Sequence, residues 1–149
     1  MLTSANSGIV QGPSVRWNAL DAAVYVGLNS ANGIRQLIDR EPTVPAGFRH
    51  PRYEVGSTSS LTPMLRDGFG FGIVPALAAG PMVDQGLIVA PLEQPRMYRD
   101  LQLIKRKGHG LSPSAQALVE QVATALSLLA LSAHIEMLID RVMVREFAG

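Results

Sequence analysis

The clearest pattern of apolar and polar positions lies between Tyr53 and Pro75. Tyr53–Val55 are β-formers, and the hydroxyl side chains of residues 57–60 are typical of a helix N-cap. The apolar positions that follow have helical spacing: Leu61, Met64 and Leu65. Gly68 suits the end of that helix, residues 69–74 predict an apolar strand, and Pro75 closes it. The pattern therefore predicts a β-α-β unit with parallel strands.

Upstream of this unit, the chain predicts a second strand followed by a helix. Residues 22–28 are apolar enough for a strand. Asn29 and Ser30 then offer an N-cap pair for a helix that runs through Asp39. Its core-facing positions are Ile34, Leu37 and Ile38.

The segments on either side are shorter and less regular. Residues 1–15 are mostly polar and predict a weakly structured lead-in, with at most one short strand at residues 9–10. Ala76–Val83 predicts a short helix, and residues 87–92 predict a strand. Residues 99–106 alternate between apolar and polar positions, which indicates a half-buried strand.

The C-terminal part predicts helices. Ser112 is a potential N-cap and Pro113 suits the first helical position, where its missing N–H is not needed. The stripe that follows is apolar: Ala115, Leu118, Val119, Val122, Leu126 and Leu129. No Gly or Pro interrupts residues 114–148, so we expect a break within residues 127–132 and a helical tail over 127–149.

Composition narrows the class of protein. The chain has 149 residues, 47% apolar and 17% charged, which suits a globular domain. Its net charge of +1 gives no general attraction to nucleic acids, and the absence of cysteine excludes disulfides and thiol chemistry. Residues 1–12 lack the features of a secretory signal, and the longest uncharged apolar-rich run, 121–135, is shorter than the ~20 residues of a membrane helix. We expect a soluble, cytoplasmic protein that does not contact membranes.

No motif indicates catalysis or a cofactor. The spacing of Gly68, Gly70 and Gly72 differs from that of dinucleotide-binding and P-loop motifs, and a tight turn explains it better. The histidines lie far apart in the sequence, without metal-ligand spacing: His50, His109 and His134. Ser57 and Ser59 lack a Gly-x-Ser-x-Gly context. We expect no enzyme activity, metal or cofactor.

Two polar turns are the exception. Asn29 and Ser30 follow one predicted strand and precede a helix, and Ser57, Thr58 and Ser59 do the same after the next strand. In α/β sheets, ligands bind beyond the carboxyl ends of the strands, where helix N-termini present N–H groups. Plain N-capping explains the same residues without a ligand, and the residues alone favour that interpretation.

Several short motifs, in order, resemble the effector-binding domain of LysR-type transcriptional regulators. Residues 70–75 read Gly-Phe-Gly-Ile-Val-Pro, which is similar to the glycine turn, strand and proline of the family's second lobe. Trp17 and Leu20 resemble the entry to that lobe, and residues 30–39 resemble its first helix. Residues 86–92 and 111–115 are similar to the return to the first lobe. The resemblance covers residues 16–126.

The resemblance implies an α/β fold, namely a Rossmann-like lobe of the type II periplasmic-binding-protein fold with a mostly parallel sheet. It implies a small-molecule effector in the cleft between lobes and no enzyme activity. It also implies that the residues of the two polar turns, together with Pro75, are candidates for effector binding: Asn29, Ser30, Ser57, Thr58, Ser59 and Pro75. Because neither turn carries a cationic side chain, we expect a small carboxylate or similar anion bound by N–H and hydroxyl groups.

The same resemblance bears on the macromolecular partners of the chain. A winged helix-turn-helix is not present in these residues, so we expect a truncated regulator, or a piece of one, that reaches DNA only through an absent N-terminal domain. Uncovered apolar surface on residues 87–92 and 115–129 predicts a homo-oligomer. The alternative is a stand-alone small-molecule-binding or oligomerisation module without regulatory activity.

Overall fold

The computed structural model describes residues 1–83, 85–99, 103–106, 108–130 and 144–147. The chain divides into two compact units, Met1–Tyr98 and Arg99–Gly149. The boundaries expected from the sequence, after residues 15 and 126, stay predictions.

The first unit alternates short strands and helices. Its strands are β1 (Leu2–Ser4), β2 (Val15–Arg16), β3 (Tyr25–Leu28), β4 (Tyr53–Val55), β5 (Phe71–Gly72), β6 (Leu87–Val89) and β7 (Leu92–Glu93). Its α-helices are α1 (Gly33–Arg40), α2 (Thr58–Arg66) and α3 (Ala76–Val83), and its 3-10 helices are Ala5–Ser7, Trp17–Ala19, Ala22–Val24 and Ala46–Arg49. The second unit contains β8 (Leu103–Arg106), α4 (Pro113–Ala130) and β9 (Val144–Phe147).

A five-stranded mixed sheet organises the first unit, in the order β4-β3-β5-β1-β6. Strand β3 pairs in parallel with β4 on one side and β5 on the other, as the sequence predicted for these three segments. Strand β1 is antiparallel to both β5 and β6, so β6 runs in the direction of β5. The sheet therefore has four strands in one direction and one opposed, and β2 and β7 form a separate parallel pair, so the unit is α/β.

The prediction of a weakly structured lead-in is wrong for its first residues. Leu2–Ser4 form β1, which lies between two strands of the sheet, and Leu2 is fully buried. The Thr3 hydroxyl donates to the carbonyl oxygen of Gly70 at 2.9 Å. Within the described part of the chain no strand forms at residues 9–10, whose side chains pack only partly against the core. A three-residue strand owes its stability to neighbours distant in sequence, so local pattern does not indicate it.

The strand expected over residues 22–28 is shorter than predicted. Ala22–Val24 form a 3-10 helix, because the Asp21 carboxylate accepts the N–H of Ala23 at 2.9 Å and caps it. The strand starts only at Tyr25, and all four of its residues are buried.

Aromatic side chains fill the core beneath the sheet. Phe48 lies edge-on to Trp17, with ring centroids 5.1 Å apart, and Tyr25 stacks on Phe71 at 5.6 Å. Such pairs add to the stabilisation that burial alone provides. The expectation of an uncovered strand over residues 87–92 is wrong for Leu87, which is fully buried in β6 where α3 packs against it.

The second unit confirms one helix and corrects the tail. Ser112 caps α4 by accepting the N–H of Ala115 at 3.2 Å, with Pro113 at the first helical position as predicted. Helix α4 continues to Ala130, and the second predicted helix falls largely on residues outside the described part. Val144–Phe147 are a strand that pairs in parallel with β8, so the prediction of a helical tail is wrong there. β-formers such as Val144 suit that pairing, which a single-segment pattern cannot reveal.

Candidate functional site

The carboxyl ends of three parallel strands lie along one edge of the sheet. Strands β4, β3 and β5 are neighbours and share a direction. The turns that follow them therefore emerge side by side, and they carry all the site residues predicted from the sequence. The backbone N–H of Asn29 donates to the carbonyl oxygen of Val55 at 3.0 Å, which joins the first two turns directly.

The third turn is less closely connected. Pro75 follows β5 by three residues and is half-buried. Its carbonyl oxygen accepts the N–H of Ala78 at 3.0 Å, at the start of α3. Among the described residues, no hydrogen bond joins Pro75 to either of the other two turns.

A cluster of serine hydroxyls marks the start of α2. The Oγ atom of Ser57 lies 2.8 Å from that of Ser59 and 2.9 Å from that of Ser60. It also accepts the N–H of Ser60 at 3.3 Å, so Ser57 is the N-cap of the helix. Ser57 thus has the capping role predicted for residues 57–60, and its role in effector binding stays a prediction. Ser60 was not among the predicted effector-binding residues. It occupies the third position of the helix, whose N–H group commonly donates to the capping hydroxyl.

The first turn of α2 also exposes backbone groups. The N–H groups of Thr58 and Ser59 have no carbonyl of the same helix to bond, as in any first helical turn. Pro63 lies inside α2 and has no N–H to donate to the carbonyl of Ser59, which loses its normal helical partner. This end of the helix therefore offers N–H donors, and Ser59 is exposed to solvent.

The turn after β3 corrects a predicted cap. Asn32, and not the pair Asn29 and Ser30, caps α1, since its Oδ1 atom accepts the N–H of Ile34 at 2.9 Å. The carbonyl of Asn29 accepts the N–H of Asn32 at 2.9 Å, so a tight turn delays the helix. Ser30 is exposed, and its carbonyl accepts Nε2 of Gln36 at 3.3 Å.

A buried arginine lies under these two turns and was not among the site residues predicted from the sequence. Arg35 of α1 is 7% exposed. Its Nε donates to Asp39 at 2.9 Å and its Nη1 donates to Glu54 at 2.7 Å. Further acceptors are the carbonyl oxygens of Leu28, from Nη1, and of Arg49, from Nη2. The only local signal was the opposite charge of residues 35 and 39, four positions apart on one helix.

Arg35 keeps its positive charge in this group. Burial opposes the charge of Arg35, but hydrogen bonds to Glu54 and Asp39 outweigh it and raise the pKa of the guanidinium above its ordinary value. One arginine and two carboxylates give the group a net charge of −1. Arg35 is thus already occupied by acceptors of its own chain.

Comparison with known proteins identifies the family. The profile described as "LysR substrate binding domain" matches residues 1–127, so the match includes the lead-in and β1. The chain belongs to the LysR substrate-binding domain family. That family implies the periplasmic-binding-protein-like α/β fold with which the mixed sheet agrees.

Two regulators are among the relatives. The chain is 33% identical over 122 residues, 82% of its length, to the "uncharacterized HTH-type transcriptional regulator YfeR" of Shigella flexneri. It is 30% identical over 102 residues, 68% of its length, to the "uncharacterized HTH-type transcriptional regulator YbhD" of Escherichia coli K12. The aligned regions span 39% and 32% of those proteins. No solved structure matches the chain significantly. No helix in the described residues is long and apolar enough to cross a membrane.

Proposed function

We propose that this chain binds a small-molecule effector at the edge formed by the two polar turns, as the sensing part of a LysR-type regulator. The proposed contacts are Asn29, Ser30, Ser57, Thr58 and Ser59, with Pro75 bordering them. The observation that carries the proposal is the hydrogen bond from the N–H of Asn29 to the carbonyl of Val55, because it makes the two turns neighbours. Family membership supports effector binding in general, without naming these residues.

The polar groups of this edge favour a small carboxylate. Hydroxyl groups and helical N–H groups donate to an anion, and the N-terminal end of α2 adds a positive dipole end. The group around Arg35 has a net charge of −1, so it disfavours a multiply charged anion more than a singly charged one. A small monocarboxylate satisfies both features.

The role in transcription rests on the relatives. Their names place a helix-turn-helix in those proteins, and we propose that DNA recognition resides in such a domain outside these 149 residues. Effector binding would then shift the population of lobe arrangements in a cytoplasmic homo-oligomer. The mixed sheet and its open edge are compatible with that mechanism.

Thermal shift with a panel of acetate, lactate, benzoate and citrate tests the site. We expect the small monocarboxylates acetate and lactate to stabilise the parent more than citrate does, and Ser57→Ala/Ser59→Ala to lose most of that shift. The double variant also loses a cap, which costs about 1 kcal/mol of stability. Ser112→Ala removes the cap of α4, a helix of the second unit, and is the matched control.

The control should keep the parent's response to lactate. An equal response from the double variant would show that the serines are only caps and that the site lies elsewhere. If no carboxylate stabilises the parent, the proposal of an anionic effector is wrong.

A further inference from the structure

Arg35 contacts both strands that lead into the polar turns. Its Nη1 donates at 3.4 Å to the carbonyl of Leu28, the last residue of β3 before the first turn. The same nitrogen donates at 2.7 Å to Glu54 of β4, which precedes the second turn. The guanidinium itself belongs to α1, the helix that starts at the end of the first turn. One planar group therefore joins the three elements that frame the edge.

A second arginine extends this connection away from the edge. The Nη2 atom of Arg35 donates to the carbonyl of Arg49, which ends the 3-10 helix Ala46–Arg49. Arg49 in turn donates at 3.1 Å to the carbonyl of Glu41, the C-cap residue of α1. Both ends of α1 are thus tied to the same network, which restrains its position against β3 and β4.

The chemistry of the guanidinium matters here. It holds its N–H donors in a rigid plane, so acceptors bound to it have fixed relative positions. Lysine has a single nitrogen on a flexible stem and could not contact the same acceptors together. A buried ion pair alone is weak evidence for stability, because desolvation offsets much of the attraction. The specific gain from Arg35 is geometric.

We infer that Arg35 is a positioning residue that holds the two polar turns at a fixed spacing, an inference whose functional meaning rests on the effector site proposed above. Arg35 acts through Leu28 and Glu54. It is not itself a ligand contact, since its Nε, Nη1 and Nη2 atoms already donate to acceptors of the chain. Loss of the Glu54 contact should loosen the hydrogen bond between Asn29 and Val55.

The two carboxylates that pair with Arg35 provide a matched comparison. Glu54→Ala removes the contact to β4, whereas Asp39→Ala removes a contact within α1 itself. Each variant leaves Arg35 one carboxylate, so its buried charge stays paired and the fold survives. Glu54→Gln keeps an acceptor oxygen and should restore most of the lost geometry.

Amide hydrogen exchange by NMR on the full chain measures the spacing. The reporter is the N–H of Asn29. The reference is the N–H of Val15, which donates to the carbonyl of Pro91 at 2.9 Å and belongs to no described contact of Arg35. In Glu54→Ala, we expect protection at Asn29 to fall about tenfold more than protection at Val15, as loss of a charge-assisted hydrogen bond implies. In Asp39→Ala, both amides should change alike.

The opposite pattern would overturn the inference. If Glu54→Ala lowers protection at both amides equally, or if Asp39→Ala gives the same selective loss, Arg35 is only a structural ion pair. A lactate titration adds a separate reading, in which Glu54→Ala should bind more weakly than Asp39→Ala. If no carboxylate of the panel binds the parent, the proposed anionic effector is wrong, while the exchange experiment still decides the role of Arg35.

Discussion

The backbone at Gly70 leaves no room for a side chain. Its φ is +113°, and a Cβ atom built there would lie 1.9 Å from the carbonyl oxygen of Val24. The same residue accepts the hydroxyl of Thr3 through its own carbonyl, so β5 cannot move away without disturbing β1. The glycine is therefore required by tertiary contact as well as by conformation.

Gly70→Ala should destabilise the fold severely, by about 3 kcal/mol or more, because it combines backbone strain with overlap against a buried backbone. Urea unfolding followed by circular dichroism measures the loss. Gly33→Ala is the control, since a Cβ atom there meets nothing within 4 Å. A loss below about 1 kcal/mol for Gly70→Ala would mean that the strands adjust easily.

Because Tyr25 is buried, the folded state should lose stability at alkaline pH. Burial, opposed in part by Arg35, raises the pKa of its phenol far above the ordinary value of 10.0. Below pH 10 the phenol is neutral in both states, and its contribution to stability is complete. Above pH 10 the unfolded chain releases a proton that the folded chain retains, so the free energy of unfolding falls by up to about 1.4 kcal/mol per pH unit.

Melting temperatures of the parent and of Tyr25→Phe between pH 8 and 11 test this prediction. The variant should lose less stability than the parent over that interval, whatever its stability at pH 8. Tyr98→Phe, at an exposed tyrosine, should follow the parent. Parallel curves for the parent and Tyr25→Phe would contradict the assignment.

At the scale of elements, α2 carries the strongest local signals in the chain. Ser57 caps its start, and the chain leaves its end through Gly68 at a φ of +84°. The N–H of Gly68 donates to Leu65, and the N–H of Phe69 donates to Met64, which is the Schellman pattern of helix ends. Local sequence signals thus determine both ends of α2, the helix that starts at the polar edge.

Gly68→Ala should cost about 1 kcal/mol, because an L residue resists this left-handed conformation. Gly68→Asn should cost less, since asparagine tolerates the same region. Chemical unfolding of the two variants gives the comparison. Equal losses would indicate that the helix end rearranges instead of retaining its φ.

At the scale of the whole molecule, exposed apolar residues concentrate on α4. Leu118 and Leu128 are 64% and 67% exposed, and Val122 lies one turn after Leu118. Apolar patches of this kind usually find a partner. We expect Leu118→Glu/Val122→Glu to shift the chain towards the monomer in light scattering.

Leu77→Glu/Val83→Glu, at exposed apolar positions on α3, is the matched control and should leave the assembly unchanged. A parent that stays monomeric at high concentration would contradict the prediction of a homo-oligomer. Equal effects from the two double variants would show that the contact is not specific to α4.

Binding to DNA should be weak and unspecific for these 149 residues. The net charge of +1 supplies little of the phosphate attraction that drives such binding. We expect no sequence-selective shift in a gel assay at physiological salt. Selective, salt-sensitive binding would show that a recognition surface lies within this chain.

Much of the local structure follows from the sequence alone. The bounds of α3 match the prediction, the cap of α4 at Ser112 was predicted, and the cap of α2 was predicted within residues 57–60. The parallel arrangement of β3, β4 and β5 follows from the β-α-β pattern. These features depend on side-chain periodicity and on backbone preferences within a few residues, which a sequence displays directly.

Tertiary structure decided the rest. Strand β1 was hidden in a polar segment, because its stability comes from pairing with β5 and β6, some 70 to 90 positions away. Arg35 reads as a helix-surface arginine, yet acceptors on β3, β4 and Arg49 allow its burial. Burying a charge is favourable only where such partners converge, and that convergence exists only in the folded chain.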